Sequence, residues 1–158
     1  MKIDKLLFGT AGIPISTKGN TIQGIKDVRK LNLDTMELEF VRSINISKEK
    51  APEVKKVAKE NNVTLTCHCP YFINLNSNEK PKYYASINRI LNSARITNSC
   101  GGYSVCFHAG YYQQQDPKKV YEKIKQAIKD IVKTLKDENN EIWIRPEISG
   151  KNSQFGSL

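Results

Sequence analysis

Long apolar runs are missing from this chain. No stretch approaches the roughly 18 residues of a bilayer span, which excludes an ordinary membrane helix. The opening Met1-Lys2-Ile3-Asp4-Lys5-Leu6-Leu7-Phe8-Gly9 has no small-residue cleavage site, so no secretory signal is expected. Phosphate-cradling glycine loops are missing too, because Gly9-Thr10-Ala11-Gly12 has the spacing of neither a P-loop nor a dinucleotide-binding turn. No serine sits in a nucleophile elbow. Cysteine is sparse. Cys67, Cys69, Cys100 and Cys106 lack the regular spacing of a small disulfide scaffold and, with no secretory signal, are expected to be reduced thiols in a cytoplasmic protein. Linkers and low-complexity segments are absent, so residues 1–158 are read as a single domain.

What remains is the composition of an ordinary folded chain, 39% hydrophobic and 26% charged, which excludes disorder. Acidic residues are outnumbered: 25 Lys and Arg face 16 Asp and Glu, a formal charge of +9. Such an excess suits a polyanion, nucleic acid above all, although lysines such as Lys48, Lys50, Lys55, Lys56 and Lys59 also simply solvate a helix face.

Hydrophobic periodicity alternates along the chain. Strand-like runs are expected at Leu6–Thr10, Thr35–Val41, Val63–His68, Ser104–His108 and Glu141–Glu147. Helical spacing recurs between them. The first helix follows an Asn20 or Thr21 cap, the second follows Ser47, the third carries Tyr84, Ile87, Ile90, Leu91 and Ala94, and the fourth begins at Asp116-Pro117. Five strands alternating with four helices predict a parallel sheet with helical crossovers, either an open doubly wound sheet or part of a (β/α) barrel. A complete eight-stranded barrel needs roughly 200 residues or more, and this chain has 158.

Both histidines stand at the ends of strand-like runs, His68 before Cys69-Pro70 and His108 before Ala109-Gly110. The fifth run ends on Glu147 instead. Strand C-terminal ends are where both architectures place their sites. Two imidazoles and a carboxylate converging there would hold a divalent metal such as zinc or manganese with a position left for water. A four-cysteine site is the rival, but it would need a break in strand geometry, since Cys67 and Cys69 point away from His68. Glu37 and Glu39 share a strand face and are candidates for acid–base work or for an ion pair with Arg145, which lies on the same strand face as Glu147. Tyr71 and Phe72, and Tyr111 and Tyr112, lie just beyond the strand ends, where aromatics can stack on bases.

The blocks His68-Cys69-Pro70-Tyr71-Phe72-Ile73-Asn74-Leu75 and Val105-Cys106-Phe107-His108-Ala109-Gly110-Tyr111-Tyr112 are two of those that resemble the N-terminal part of endonuclease IV. Arg145-Pro146-Glu147 with Gly150-Lys151 and Gln154-Phe155-Gly156 resembles it as well, as do the opening Leu7–Pro14 and Met36–Val41. The resemblance implies an α/β fold, a (β/α)8 TIM barrel of the xylose-isomerase-like type, present here as about five strands and four helices with the C-terminal strands absent. It implies a DNA-repair endonuclease that hydrolyses the phosphodiester 5′ to abasic sites in double-stranded DNA by a zinc-bound hydroxide. His68, His108 and Glu147 match metal ligands, Glu147 matches a catalytic bridging carboxylate, and Tyr71 and Phe72 match residues that enter DNA. Arg145 is expected behind the ligands. The complete family site holds up to three zinc ions, of which one is represented here, and the complete protein is expected to be a monomer. As a fragment, the chain is expected to bind one metal weakly and to incise little. A metal-dependent sugar isomerase or epimerase of the same superfamily and a non-catalytic nucleic-acid-binding module are the alternatives.

Overall fold

The computed structural model describes residues 5–156. Five strands, β1 (Gly9–Ala11), β2 (Thr35–Glu39), β3 (Thr64–His68), β4 (Ser104–His108) and β5 (Trp143–Glu147), alternate with four helices. The helices are α1 (Thr21–Lys30), α2 (Ala51–Glu60), α3 (Lys80–Ser99) and α4 (Pro117–Asp137). The strands form one parallel sheet in the order β1-β2-β3-β4-β5. A doubly wound sheet reverses its strand order at a switch point. Here the order never reverses, so crossovers of one hand lay all four helices on one face, and the sheet is an arc of a barrel.

Side-chain alternation separates the two faces of the arc. Met36, Leu38, Leu65, Cys67, Val105 and Phe107 face the helices and are at most 3% exposed. They pack with Ile25 and Val28 of α1, Val54 of α2, Ile90 and Ala94 of α3, and Ile124 and Ile131 of α4. The opposite face carries Glu37, Glu39, Thr66, His68, Cys106, His108, Arg145 and Glu147, and none of these is fully buried. The hydrophobic core therefore lies between sheet and helices, and the polar inner face is left for chemistry.

Caps set the helix starts. Asn20 Oδ1 accepts from the backbone N–H of Ile22 and Gln23 at 3.0 and 3.3 Å, and Asp116 Oδ1 accepts from Lys118 and Lys119 at 2.7 and 3.3 Å. Ser47 behaves differently from the expectation. Its hydroxyl accepts from Lys50 N–H, so it caps the turn preceding α2, and the helix proper starts at Ala51 with Pro52 in its first turn. The first strand also starts later than its apolar run. β1 pairs with β2 alone, Gly9 opposite Thr35, so Leu6 and Phe8 lie before the ladder and are 76% and 63% exposed. Gly9 is obligatory there, since a Cβ would sit 1.8 Å from the Thr35 carbonyl oxygen.

All four cysteines are free, and Cys67, Cys69 and Cys100 are buried. Burial pushes the Cys100 thiol up from 9.0 to about 11. A thiol that ionises later in the folded than in the unfolded state stabilises the fold below pH 9 and loses that contribution as pH rises towards 11. Urea midpoints are thus expected to fall over that interval, and Cys100→Ser is expected to remove part of the decline, because burial also pushes up the thiols of Cys67, Cys69 and Cys106.

Candidate metal centre

Register, not sequence proximity, assembles the site. β3 and β4 align His68 with Cys106, and β4 and β5 align His108 with Glu147. The three side chains meet at the C-terminal edge of the sheet. His68 Nε2 lies 3.3 Å and His108 Nε2 3.5 Å from Glu147 Oε2, and one donor atom from each residue falls within 4.8 Å of the others. Tetrahedral zinc with bonds of about 2.0–2.1 Å requires donor–donor edges of about 3.4 Å. The two edges to Glu147 fit that geometry, and the His68–His108 edge falls within the 4.8 Å that encloses the set.

The imidazoles are prepared unequally. His68 Nδ1 lies 2.9 Å from the carbonyl oxygen of Cys69, and donating its proton there leaves the Nε2 lone pair directed at Glu147. His108 Nδ1 is buried without a partner. Cys106, which by sequence only shares a face with His108, brings its Sγ to 3.8 Å from Glu147 Oε2. The other three thiols lie on the buried side of the fold, and the rival four-cysteine centre is not assembled among the described residues.

Glu147 is the least sheltered ligand, with 43% of its side chain exposed on a strand paired on one side only. A latch compensates. The segment after β5 folds back on the loop after β4 through a bridge between Tyr111 and Gln154, with Tyr112 N–H donating to Ser153 O and Phe155 N–H to Gly110 O, both at 3.0 Å. The Phe155 ring packs at 5.8 Å from Tyr112 and 6.4 Å from Tyr121 of α4. By sequence alone Ser149–Leu158 reads as a polar tail, and Phe155 is the signal within it that points to packing. Phe155→Ala is expected to weaken zinc binding about 10-fold, the low end for losing support behind a ligand. Phe155→Leu should restore most of it, as read by competition with a chromophoric chelator.

Three other residues singled out from sequence fall around this centre. Tyr71 and Phe72 are 57% and 61% exposed, and the Tyr71 ring stands edge-on to His68 at 5.9 Å. Arg145 corrects an expectation: it makes no ion pair with Glu37 or Glu39. Its guanidinium lies over the rings of Tyr103 and Trp143 at 5.0 and 5.8 Å. The reason is spacing, because β5 and β2 stand three strand intervals apart, roughly 14 Å. Glu37 instead accepts from Thr66 Oγ1 at 3.3 Å. Burial, aided by the neighbouring Glu37 charge, raises the Glu39 carboxyl above its usual range.

Among known proteins, the chain is 39% identical over 153 residues to the uncharacterized protein MJ0133 of Methanocaldococcus jannaschii, an alignment covering 97% of this chain and 55% of that protein. Endonuclease IV from Thermus thermophilus superposes with a TM-score of 0.68 at 14% identity, over 90% of this chain and 52% of that one. The 3-keto-D-glucoside 4-epimerase of E. coli superposes with a TM-score of 0.71 at 12% identity, over 95% and 58%. The chain thus spans about half the length of the proteins it matches. Solved structures of both activities share its fold, and no helix among the described residues is long and apolar enough to cross a membrane. Residues 25–158 match the xylose isomerase-like TIM barrel family, and the chain belongs to it.

Proposed function

We propose that the site belongs to a DNA-repair endonuclease that hydrolyses the phosphodiester 5′ to abasic sites in double-stranded DNA, with zinc held by His68, His108 and Glu147. The observation that carries this reading is the donor set itself, two imidazole nitrogens and one carboxylate oxygen within 4.8 Å. With a single charged ligand, a divalent ion there keeps a net positive charge, which suits a phosphodiester better than a neutral sugar. A chain charge of +9 and the exposed rings of Tyr71 and Phe72 beside the centre favour the same partner.

A bound zinc ion would supply Lewis-acid polarisation of the phosphate and an acidified water. The chain's own groups do the holding. Cys69 O fixes the His68 tautomer, and the latch around Phe155 keeps Glu147 beside both imidazoles. Because the matched proteins are about twice as long, the reading places full activity, further zinc ions and a monomeric state with the whole protein. The 158-residue chain is expected to hold one ion weakly and to incise little.

A sugar epimerase has in its favour the carboxylates Glu37 and Glu39, which share the polar sheet face with the triad, and an epimerase fold that superposes as well as that of endonuclease IV. Salt separates the two readings. Retention of an abasic duplex by the zinc-supplemented chain should weaken steeply as salt rises, through loss of counterion release. A chain that retains no abasic duplex at low salt, yet turns over a free ketose at a rate indifferent to salt, is an epimerase and sinks the endonuclease reading.

A further inference from the structure

Beside the metal triad a second cleft, of about 400 Å³, opens between the β3–α3 connection, the first half of α3 and the loop after β4. Its volume lies within the roughly 300–1,000 Å³ of small-ligand pockets. Three uncovered rings line it, Tyr71, Phe72 and Tyr111, the last 40% exposed. Lys82 and Arg89 of α3 complete the wall.

The backbone carrying these rings is pinned from several sides. Asn74 N–H donates to Ser86 Oγ at 2.9 Å, Arg89 Nη1 to Phe72 O at 2.9 Å, and Asn76 Nδ2 to Tyr111 O at 2.8 Å. From α4, Lys123 Nζ reaches Asn76 O and Ser77 O at 3.1 and 3.0 Å. Leaving large rings in water forgoes about 25 cal/mol for every Å² not buried. A loop free to move would fold such rings inward. This one is tied to α3, α4 and the loop after β4 in a form that keeps three of them out, the arrangement expected of a preorganised contact surface.

We propose that this cleft seats one unpaired nucleotide of bound DNA, its base stacked on Tyr111 and Phe72 and its phosphate held by Lys82 and Arg89. The proposal rests on the nucleic-acid reading above. Base chemistry selects the occupant, since every base has a face that stacks on an aromatic ring, whereas bases inside an intact duplex are already stacked on both faces by their neighbours. Charge selects it as well. Lys82 is held only by an exposed contact with Glu79 at 2.5 Å, and a surface pair of that kind is weak enough for a phosphate to replace.

Anisotropy of a labelled single strand, an intact duplex and a duplex with one abasic-site analogue tests the assignment, with zinc present. Tyr111→Ala is expected to weaken the single strand and the abasic duplex about tenfold, near the low end for one base stack, and to leave the intact duplex nearly unchanged. Tyr111→Phe should bind like the native chain. Lys82→Ala should reduce the salt slope by about one. Zinc affinity, measured in parallel, should be the same in all variants, which shows that the fold and the triad are intact. If the native chain binds DNA in a salt-dependent way and Tyr111→Ala changes nothing, or weakens all three probes equally, the cleft assignment is overturned and the nucleic-acid reading stands. If the native chain binds none of the probes, both are overturned.

Discussion

Glu147→Gln is expected to lower the zinc affinity of this chain by at least about 100-fold and to leave its folding unchanged. Glu147 is the only charged member of the triad, and its Oε2 is the atom that both Nε2 atoms approach. Glutamine keeps the shape but removes the charge and presents a weaker donor to a divalent cation. Losing a mere supporting contact behind a ligand already costs 10–100-fold, so losing the anionic ligand sets the lower bound near the top of that range. The fold is spared because Glu147 stands on the open face of the arc and contributes nothing to the helix-facing core. Competition with a chromophoric chelator measures the affinity, and circular dichroism with a urea midpoint checks the fold. An unchanged affinity would move the metal away from these strand ends.

Phe107→Ala is expected to cost about 3–5 kcal/mol, the usual range for emptying a fully buried aromatic site. Domains have only about 5–15 kcal/mol of stability in total, so the loss takes much of what holds this chain together. Phe107 is 0% exposed and points from β4 into the helical layer, one residue before His108, which points the other way. No small movement fills the gap, because β4 is held on both sides by β3 and β5. Urea denaturation should show a lower midpoint with an unchanged slope, the sign of lost stability without a change in the surface exposed on unfolding. Zinc affinity at low temperature, where the variant still folds, should be close to native. Unchanged stability would mean that β4 does not pack against the helices through this ring.

These two substitutions separate what is readable along the chain from what is not. The alternation that puts Phe107 inward and His108 outward is a local property of a five-residue run, legible from residue types alone. So are the helix starts at Asn20 and Asp116, where one side chain satisfies backbone N–H groups two and three residues on. The start of β1 and the start of α2 are not, because a strand edge depends on its partner's register and a cap residue serves either a turn or a helix. The link between Arg145 and the acidic pair fails for a similar reason. Facing the same side of a sheet is a sequence property, but reaching across three strand intervals is a matter of distance, and the nearby rings of Tyr103 and Trp143 capture the guanidinium first.

By itself the sequence determined the order of five strands and four helices, the inward and outward sides of each, and the three donor types standing at strand ends. Those follow from interactions within a few residues. Only the tertiary structure decided that the strand order never reverses, that His68 and His108 close to 3.3 and 3.5 Å on one oxygen of Glu147, and that a tail holding Phe155 folds back to support it. Separations of 79 and 39 residues along the chain are brought to contact distance by strand register and helix packing, neither of which any local window of sequence contains.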